Sequence, residues 1–184
     1  HVQAGHGAAI AIRWLDKAGE RRLVSYGELS AELRAFAGAL RGLGCEEGVR
    51  VFTLLGRVPE LYAGVLGTLY AGGVAAPLFA AFGPEPVKQR LDIGAGEVLV
   101  TTRRLYERRV APIRHQVPVL RHVLLVDARE DLPAGTASWH DLVERAEPLT
   151  QPAATGEGSL ALLHFTSGTT GTPKGAMHVH GAIL

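Results

Sequence analysis

The residues with the clearest chemical potential form one short segment, 166–175, with the sequence TSGTTGTPKG. Its glycines let the backbone approach a ligand closely, and successive N–H groups in such a turn form a concave anion site. Its hydroxyl groups donate to phosphate oxygens, and Lys174 adds a compact positive charge. The segment therefore predicts a polyphosphate-binding loop, in which each charge-assisted hydrogen bond contributes about 1.5–3 kcal/mol.

Two other interpretations of this segment exist. A P-loop of the Walker A type requires Gly directly before the Lys, where this chain has Pro173, and a helix after the loop. The run 176–180, AMHVH, alternates as a strand does and speaks against that helix. The plain structural alternative is a hairpin loop rich in turn-forming residues.

The rest of the chain predicts the elements that position this loop. The apolar run 160–165 is short enough to be a buried strand that ends at the loop. Upstream, apolar strands alternate with helices, which predicts an α/β fold of layered βαβ units around a mostly parallel sheet. Ligands of such sheets bind at the carboxyl ends of the strands, where the loop begins. A hairpin with its turn at 17–20 is predicted over 8–26, and Ser25 and Glu28 have the spacing of a capping box. The predicted strands are 49–55, 74–78, 98–102 and 120–127, and the predicted helices follow Ser25, Pro59, Pro84, Arg103 and Ser138.

The domain organisation follows from a composition shift. Residues 148–158 are rich in Pro, Gly and Ala and predict a linker. We therefore expect an amino-terminal α/β subdomain over 1–158 and a strand–loop–strand segment over 159–184 that begins the next subdomain. The chain starts at His1 and stops at Leu184 as a new element should begin, which predicts the amino-terminal part of a longer protein.

The unbroken run 166–175 resembles the phosphate-binding signature of the adenylate-forming enzymes: acyl-CoA synthetases, luciferases and peptide-synthetase adenylation domains. Upstream, the runs 75–85 (AAPLFAAFGPE), 87–91 and 98–102 are similar to the acetyl-CoA synthetase branch. The resemblance extends from about Val24 to the end of the chain. It implies the amino-terminal part of the large domain of such an enzyme.

The resemblance also implies site residues. Lys174 would compensate charge in the transition state as the catalytic residue. The loop near the adenine of CoA corresponds to Phe79, Ala80 and Ala81, and arginines for the CoA 3′-phosphate would come from the basic cluster after residue 102. The residues alone leave a plain alternative open for both, namely ordinary loop hydrophobics and a solvated helix face. The implied ATP-phosphate ligands are Thr166, Ser167, Gly168, Thr169, Thr170, Gly171, Thr172 and Lys174, and the cluster consists of Arg103, Arg104, Arg108 and Arg109.

The activity that the resemblance implies has two steps, in which a small carboxylic acid and ATP give acyl-AMP and pyrophosphate, and CoA then displaces AMP. Mg²⁺ is expected as a further cofactor, with its glutamate ligand, the acyl pocket and the catalytic lysine of the carboxyl-terminal domain beyond Leu184. The 184-residue chain alone is thus expected to be inactive. Another adenylate-forming enzyme (a medium-chain or aryl-CoA ligase, or a peptide-synthetase domain) and a non-catalytic nucleotide-binding module stay open.

Composition excludes several other classes. The 184 residues are 47% hydrophobic and 20% charged, with a net charge of +1, so nucleic acid and anionic membrane surfaces are disfavoured as partners. One cysteine, Cys45, excludes an internal disulfide framework and fits a cytoplasmic location. No metal site is predicted, because His178 and His180, placed on one face of a strand, lack further ligands with suitable spacing.

Overall fold

The computed structural model describes residues 1–166 and 172–182. A two-stranded antiparallel hairpin comes first, after a wide helical turn at Val2–His6. Its strands are β1 (Ile10–Leu15) and β2 (Arg21–Ser25), as the turn at 17–20 predicts. The indole Nε1 of Trp14 donates to the main-chain oxygen of Arg57 at 2.7 Å, which ties the hairpin to the main body.

The main body is a seven-stranded sheet in the order β7-β6-β5-β3-β4-β8-β9. All neighbouring strands pair in parallel except β8 and β9, so the predicted mostly parallel α/β sheet is confirmed. The strands are β3 (Arg50–Leu55), β4 (Val74–Phe79), β5 (Val98–Thr101), β6 (His122–Leu125), β7 (Ala137–Ser138), β8 (Leu160–Thr166) and β9 (Lys174–Val179). The helices are α1 (Tyr26–Gly42), α2 (Pro59–Tyr70), α3 (Pro84–Ile93), α4 (Arg103–Leu105) and α5 (Trp139–Arg145).

Local sequence signals start the helices. Ser25 and Glu28 form the predicted capping box of α1, in which the Ser25 hydroxyl accepts from the Glu28 N–H and the Glu28 carboxylate accepts from the Ser25 N–H at 2.7 Å. Ser138 caps α5 through a single bond, with its hydroxyl accepting from Asp141 N at 3.2 Å. After α4, helical turns of other geometry continue to Gln116, as predicted for this basic region.

The sheet separates two apolar cores. We call the face covered by α1, α2 and α5 the scaffold face, and the face covered by α3, which carries Arg90, the arginine face. On the scaffold face, α1, α2 and α5 bury a core around Phe36, Leu40, Ala63 and Trp139. On the arginine face, α3 and the helical turns 106–116 bury a second core. That core includes Phe52, Leu78, Val87, Leu91, Leu99, Tyr106, Val110 and Leu163.

The predicted linker differs from expectation in its first half. Residues 147–153, which we call the strap, lie along α1 and α2 and bind to them through main-chain groups. The Arg34 guanidinium donates to Leu149 O at 2.8 Å, Leu149 N donates to Arg34 O, and Ala153 N donates to Tyr70 O. A Cβ on Gly38 would lie 1.9 Å from the oxygen of Glu147, so the strap touches the helix backbone there. Composition alone does not reveal such main-chain contacts.

Strand β8 joins the sheet directly beside β4, through the pair Ala75–Leu162. The boundary predicted after residue 158 falls at the turn before β8, and the division into subdomains stays a prediction. Within residues 1–166 and 172–182, no helix has the length and apolarity needed to cross a membrane.

Candidate active site

The β8–β9 hairpin brings two predicted phosphate ligands together. Thr166 ends β8, Lys174 begins β9, and the two are paired across the antiparallel ladder. Both side chains are exposed, as is that of Thr172. The other predicted ligands, Ser167, Gly168, Thr169, Thr170 and Gly171, lie outside the described residues. The described part thus places a hydroxyl and an ammonium group at the mouth of the glycine-rich loop, and a strand follows Lys174 as predicted.

The loop that the resemblance assigns to CoA lies beside this mouth. Strands β4 and β8 are neighbours in the sheet, joined at the Ala75–Leu162 pair, and they run in the same direction to end at Phe79 and Thr166. Phe79 is the last residue of β4 and is 68% exposed, Ala80 is half-buried and Ala81 is exposed. A planar apolar group is therefore available to a ligand next to the phosphate loop.

The four arginines of the basic cluster have different surroundings. Arg103 is engaged within the chain: its guanidinium donates to the main-chain oxygens of Glu130, at 3.1 Å, and Asp131, and its N–H donates to the Asp127 carboxylate at 2.7 Å. These bonds hold the loop after β6, where Asp131 has a φ of +51°. Arg103 is thus committed to the fold, which makes it the weakest of the four as a ligand for phosphate.

The other members of the cluster are more available. Arg104 and Arg108 are exposed, whereas Arg109 is half-buried and its Nε lacks a hydrogen-bond partner among the described residues. They follow the carboxyl end of β5, which is two strands from β4 in the sheet. Two strand spacings correspond to about 10 Å, so these arginines and Phe79 flank one edge of the sheet.

Sequence reasoning missed one residue of this edge, Arg90. It lies on α3, is only 7% exposed, and stacks its guanidinium 4.1 Å from the centroid of the Phe82 ring. A signal was present in the sequence, because Arg90 falls on the same helix face as the buried residues Val87 and Leu91. An arginine on an apolar helix face is unusual unless its charge is paired.

The histidines differ from their predicted placement. β9 ends at Val179 and His180 begins a helical turn, so His178 and His180 do not share a strand face. Instead, His178 lies next to His164 of β8, with 5.4 Å between the ring centroids. In the part of the chain that the structure describes, no group of three or more His, Cys, Asp or Glu side chains is arranged to hold a metal ion.

Together these residues line the carboxyl edge of a parallel sheet with a cationic loop, an exposed aromatic ring and guanidinium groups. Such an edge can bind a polyphosphate and a second flat, phosphate-bearing molecule side by side.

A family model described as "AMP-binding enzyme" matches residues 1–184. The chain belongs to the AMP-binding enzyme family. The match includes the first residues, so the expected start of the resemblance near Val24 is wrong.

Relatives within the AMP-binding enzyme family agree with this assignment. An acetyl-coenzyme A synthetase of Bacillus subtilis is 32% identical over 185 residues, which cover 100% of this chain and 32% of that protein. Among solved structures, the acetoacetyl-CoA synthetase of Streptomyces lividans matches with a TM-score of 0.88 at 26% identity, over 100% of this chain and 30% of the other.

An anthranilate CoA ligase in complex with anthranoyl-AMP matches with a TM-score of 0.81 at 25% identity, over 86% of this chain and 30% of the other. The chain thus spans about a third of the length of the relatives it matches. The similarity to these two solved structures confirms that the fold is that of the amino-terminal part of adenylate-forming enzymes.

Proposed function

We propose that the protein carrying this chain is an acetyl-CoA synthetase-like, AMP-forming acid–CoA ligase. The observation that carries the proposal is the pairing of Thr166 with Lys174 at the mouth of the glycine-rich loop, on the carboxyl edge of the sheet. The identity of 32% with an acetyl-coenzyme A synthetase over the whole chain supports the acetate branch.

In the first proposed step, a carboxylate oxygen attacks the α-phosphorus of ATP, the bond to the β-phosphate breaks, and pyrophosphate leaves. In the second step, the CoA sulfur attacks the acyl carbon, AMP leaves, and the thiol proton is released. The Lys174 ammonium would offset the charge that builds up on the leaving pyrophosphate. Holding the reactants in line supplies the rest of the rate enhancement in this part of the site.

We assign the ATP phosphates to the loop between β8 and β9. Thr166, Thr172 and Lys174 are exposed where the loop joins the strands, and they donate from hydroxyl and ammonium groups. Ser167, Gly168, Thr169, Thr170 and Gly171 complete the set that the sequence predicts.

We assign CoA to the neighbouring edge. Phe79 offers an exposed ring face for an adenine, and Ala80 and Ala81 leave room beside it because their side chains are small. Arg104 and Arg108 have exposed guanidinium groups for the 3′-phosphate, with Arg109 next to them. Mg²⁺ would neutralise phosphate charge when bound, and we assign it no ligand among the described residues, which present no suitable cluster.

The decisive experiment follows carboxylate-dependent pyrophosphate release from ATP with the complete protein, using acetate, propionate, butyrate, octanoate and benzoate. We expect release with acetate, and we expect Lys174→Ala to lower kcat/KM about 10²- to 10³-fold, as loss of one charge-stabilising donor does. Lys17→Ala, in the β1–β2 turn, is the matched control and should have no effect.

Other outcomes would change the proposal. Release with only long or aromatic acids would retain an adenylate-forming ligase and discard the acetate branch. No release with any acid, despite ATP binding, would indicate a non-catalytic nucleotide-binding module. The 184-residue chain by itself is expected to form no acyl-CoA, and detection of acyl-CoA with the purified chain would contradict that prediction.

A further inference from the structure

Arg90 is a buried cation without an acidic partner in the described part of the chain. Its guanidinium Nη1 donates to the main-chain oxygen of Pro86 at 2.8 Å, and its Nε is buried with no hydrogen-bond partner among residues 1–166 and 172–182. Burial lowers the pKa of Arg90, because no neighbouring carboxylate offsets the loss of hydration. On the same helix, Lys88 is paired with Asp92 at 2.7 Å, so the lack of a partner is particular to Arg90.

Two aromatic rings take the place of the missing acid. The Arg90 guanidinium carbon lies 4.1 Å from the centroid of the Phe82 ring and 5.9 Å from that of Phe165. Both distances are within the range of cation–π attraction, and the nearer contact with Phe82 is the stronger one. The ring faces and the Pro86 oxygen therefore supply the stabilisation that a carboxylate gives elsewhere.

These rings belong to the two segments that bear the proposed ligand sites. Phe82 lies in the loop after β4 and meets Phe79 edge to face, with 5.8 Å between centroids. Phe165 directly precedes Thr166 on β8 and lies 6.0 Å from Phe52 of the central strand β3. A continuous row of contacts thus runs from the exposed Phe79 ring through Arg90 to the strand that opens the phosphate loop.

A purely structural role accounts poorly for this arrangement. Burying a charge is costly, and an apolar side chain of similar volume would fill the same space without that cost. A methionine would pack against both rings, yet it would fix neither ring in orientation, because its attraction to a ring lacks the directionality of a flat cation.

We propose that Arg90 is a positioning residue that fixes loop 79–83 against the end of β8, and so sets the position of the proposed CoA site relative to the phosphate loop. The proposal rests on the proposed function. Arg90 itself touches neither ligand in this scheme and acts through Phe82 on Phe79. Its removal should therefore weaken capture of CoA more than it disturbs formation of the adenylate.

The test compares Arg90→Met, Arg90→Lys and the control Lys88→Met in the complete protein. Carboxylate-dependent exchange of pyrophosphate into ATP reports the first step, and acyl-CoA formation at varied CoA concentration reports the second. We expect Arg90→Met to raise KM for CoA about fivefold to thirtyfold, the range that a cation–π contact supports. In Arg90→Met, KM for ATP and the exchange rate should stay within about threefold of the wild-type values. Arg90→Lys should recover part of the lost affinity for CoA, because it retains a cation, and Lys88→Met should match the wild type.

An unchanged KM for CoA in Arg90→Met would overturn the proposal. Equal losses in both steps without recovery by Lys would also overturn it, since they indicate a general structural defect. Failure of the proposed function itself is distinguishable, because the wild type would then show no exchange.

In that case the geometry is tested without activity, by the melting temperatures of Arg90→Met, Phe82→Leu and the double variant. A double variant whose melting temperature falls by less than the sum of the single changes supports the coupling of Arg90 to Phe82. Strict additivity would contradict it.

Discussion

The two faces of the sheet treat buried charge differently. On the scaffold face, the buried Glu60 is paired with Arg22 at 2.8 Å, and Glu32 accepts a hydrogen bond from the Trp139 indole at 3.3 Å. On the arginine face, Arg90 has aromatic rings in place of an acid. Each of these two carboxylates thus accepts a hydrogen bond from a neighbouring side chain. The charge without an acid lies beside the edge where the loops after β4 and β8 emerge, so we expect the arginine face to tune ligand binding and the scaffold face to supply stability.

The largest expected effect is on the scaffold face, and it tests whether that face supplies stability without affecting ligand binding. Trp139 is fully buried against Phe36, with 4.2 Å between ring centroids, so Trp139→Ala should lower the free energy of unfolding by about 3–5 kcal/mol. Urea denaturation of this chain measures the loss, and Tyr62→Ala, at an exposed ring, is the control. In the complete protein, KM for ATP should not change. A change of more than about threefold in the folded variant would contradict the division.

The contact of the strap with α1 gives the next largest effect. Because an added Cβ at Gly38 would meet the main-chain oxygen of Glu147, Gly38→Ala should cost about 1–3 kcal/mol of unfolding free energy. Gly42→Ala is matched to it, since Gly42 is on the same helix and a Cβ there meets nothing within 4 Å. Thermal denaturation should show Gly38→Ala to be less stable and Gly42→Ala to be as stable as the wild type or more so. Equal melting temperatures would mean that the strap moves freely.

The capping box predicts a smaller change. Ser25→Ala removes the acceptor for the Glu28 N–H and should cost about 1 kcal/mol. Ser30→Ala, within the same helix, is the control and should be neutral or slightly stabilising, because alanine has the higher helix propensity. Urea denaturation of both variants measures the difference, and a loss that is the same for both would rule out a specific role of the cap.

The smallest effect is a dependence on pH. Burial raises the pKa of Glu32 above its usual 4.5, so the folded chain binds a proton more readily than the unfolded chain does. The wild type therefore loses stability as pH rises from 4.5 through that raised pKa. Glu32→Gln retains an acceptor for Trp139 and carries no charge. It should melt at a higher temperature than the wild type near neutral pH, and the difference should shrink as pH falls.

Glu144 is the control for Glu32, because its pKa is lowered in the folded chain whereas that of Glu32 is raised. The Arg129 guanidinium holds the pKa of Glu144 below its usual value, so its contribution to stability is present above 4.5 and is lost as pH falls through the lowered pKa. Glu144→Gln should therefore lower the melting temperature at neutral pH. If the melting temperatures of Glu32→Gln and Glu144→Gln change in the same direction at neutral pH, the altered pKa values of the two carboxyl groups do not explain the changes.

Structural features that depend on neighbouring residues can be predicted from the sequence. The capping box at Ser25, the β1–β2 turn and the strand after Lys174 each depend on a few adjacent positions, and all three are confirmed. Distant contacts were not predictable, because no local pattern encodes them. The sequence presents Arg103 as one of four clustered arginines, and only the fold brings it to the loop 27 residues further on, where it binds the main-chain oxygen of Glu130. The sequence presents Arg90 as a helix residue, and only the fold brings Phe82 and Phe165 together around its guanidinium.

The strap has a consequence for how sequences of this kind can vary. Main-chain groups make the hydrogen bonds of Leu149 and Ala153, whereas the Leu149 side chain packs against the core of the scaffold face. A Cβ at Gly38 would lie 1.9 Å from the main-chain oxygen of Glu147, and a Cβ at Gly72, where φ is +76°, would lie 2.8 Å from the Cβ of Ala153. The exposed Glu147 can therefore be replaced, whereas position 38 is confined to glycine and Gly72 requires a small residue at position 153. A homologue that loses either glycine should carry a shifted or shortened strap to compensate.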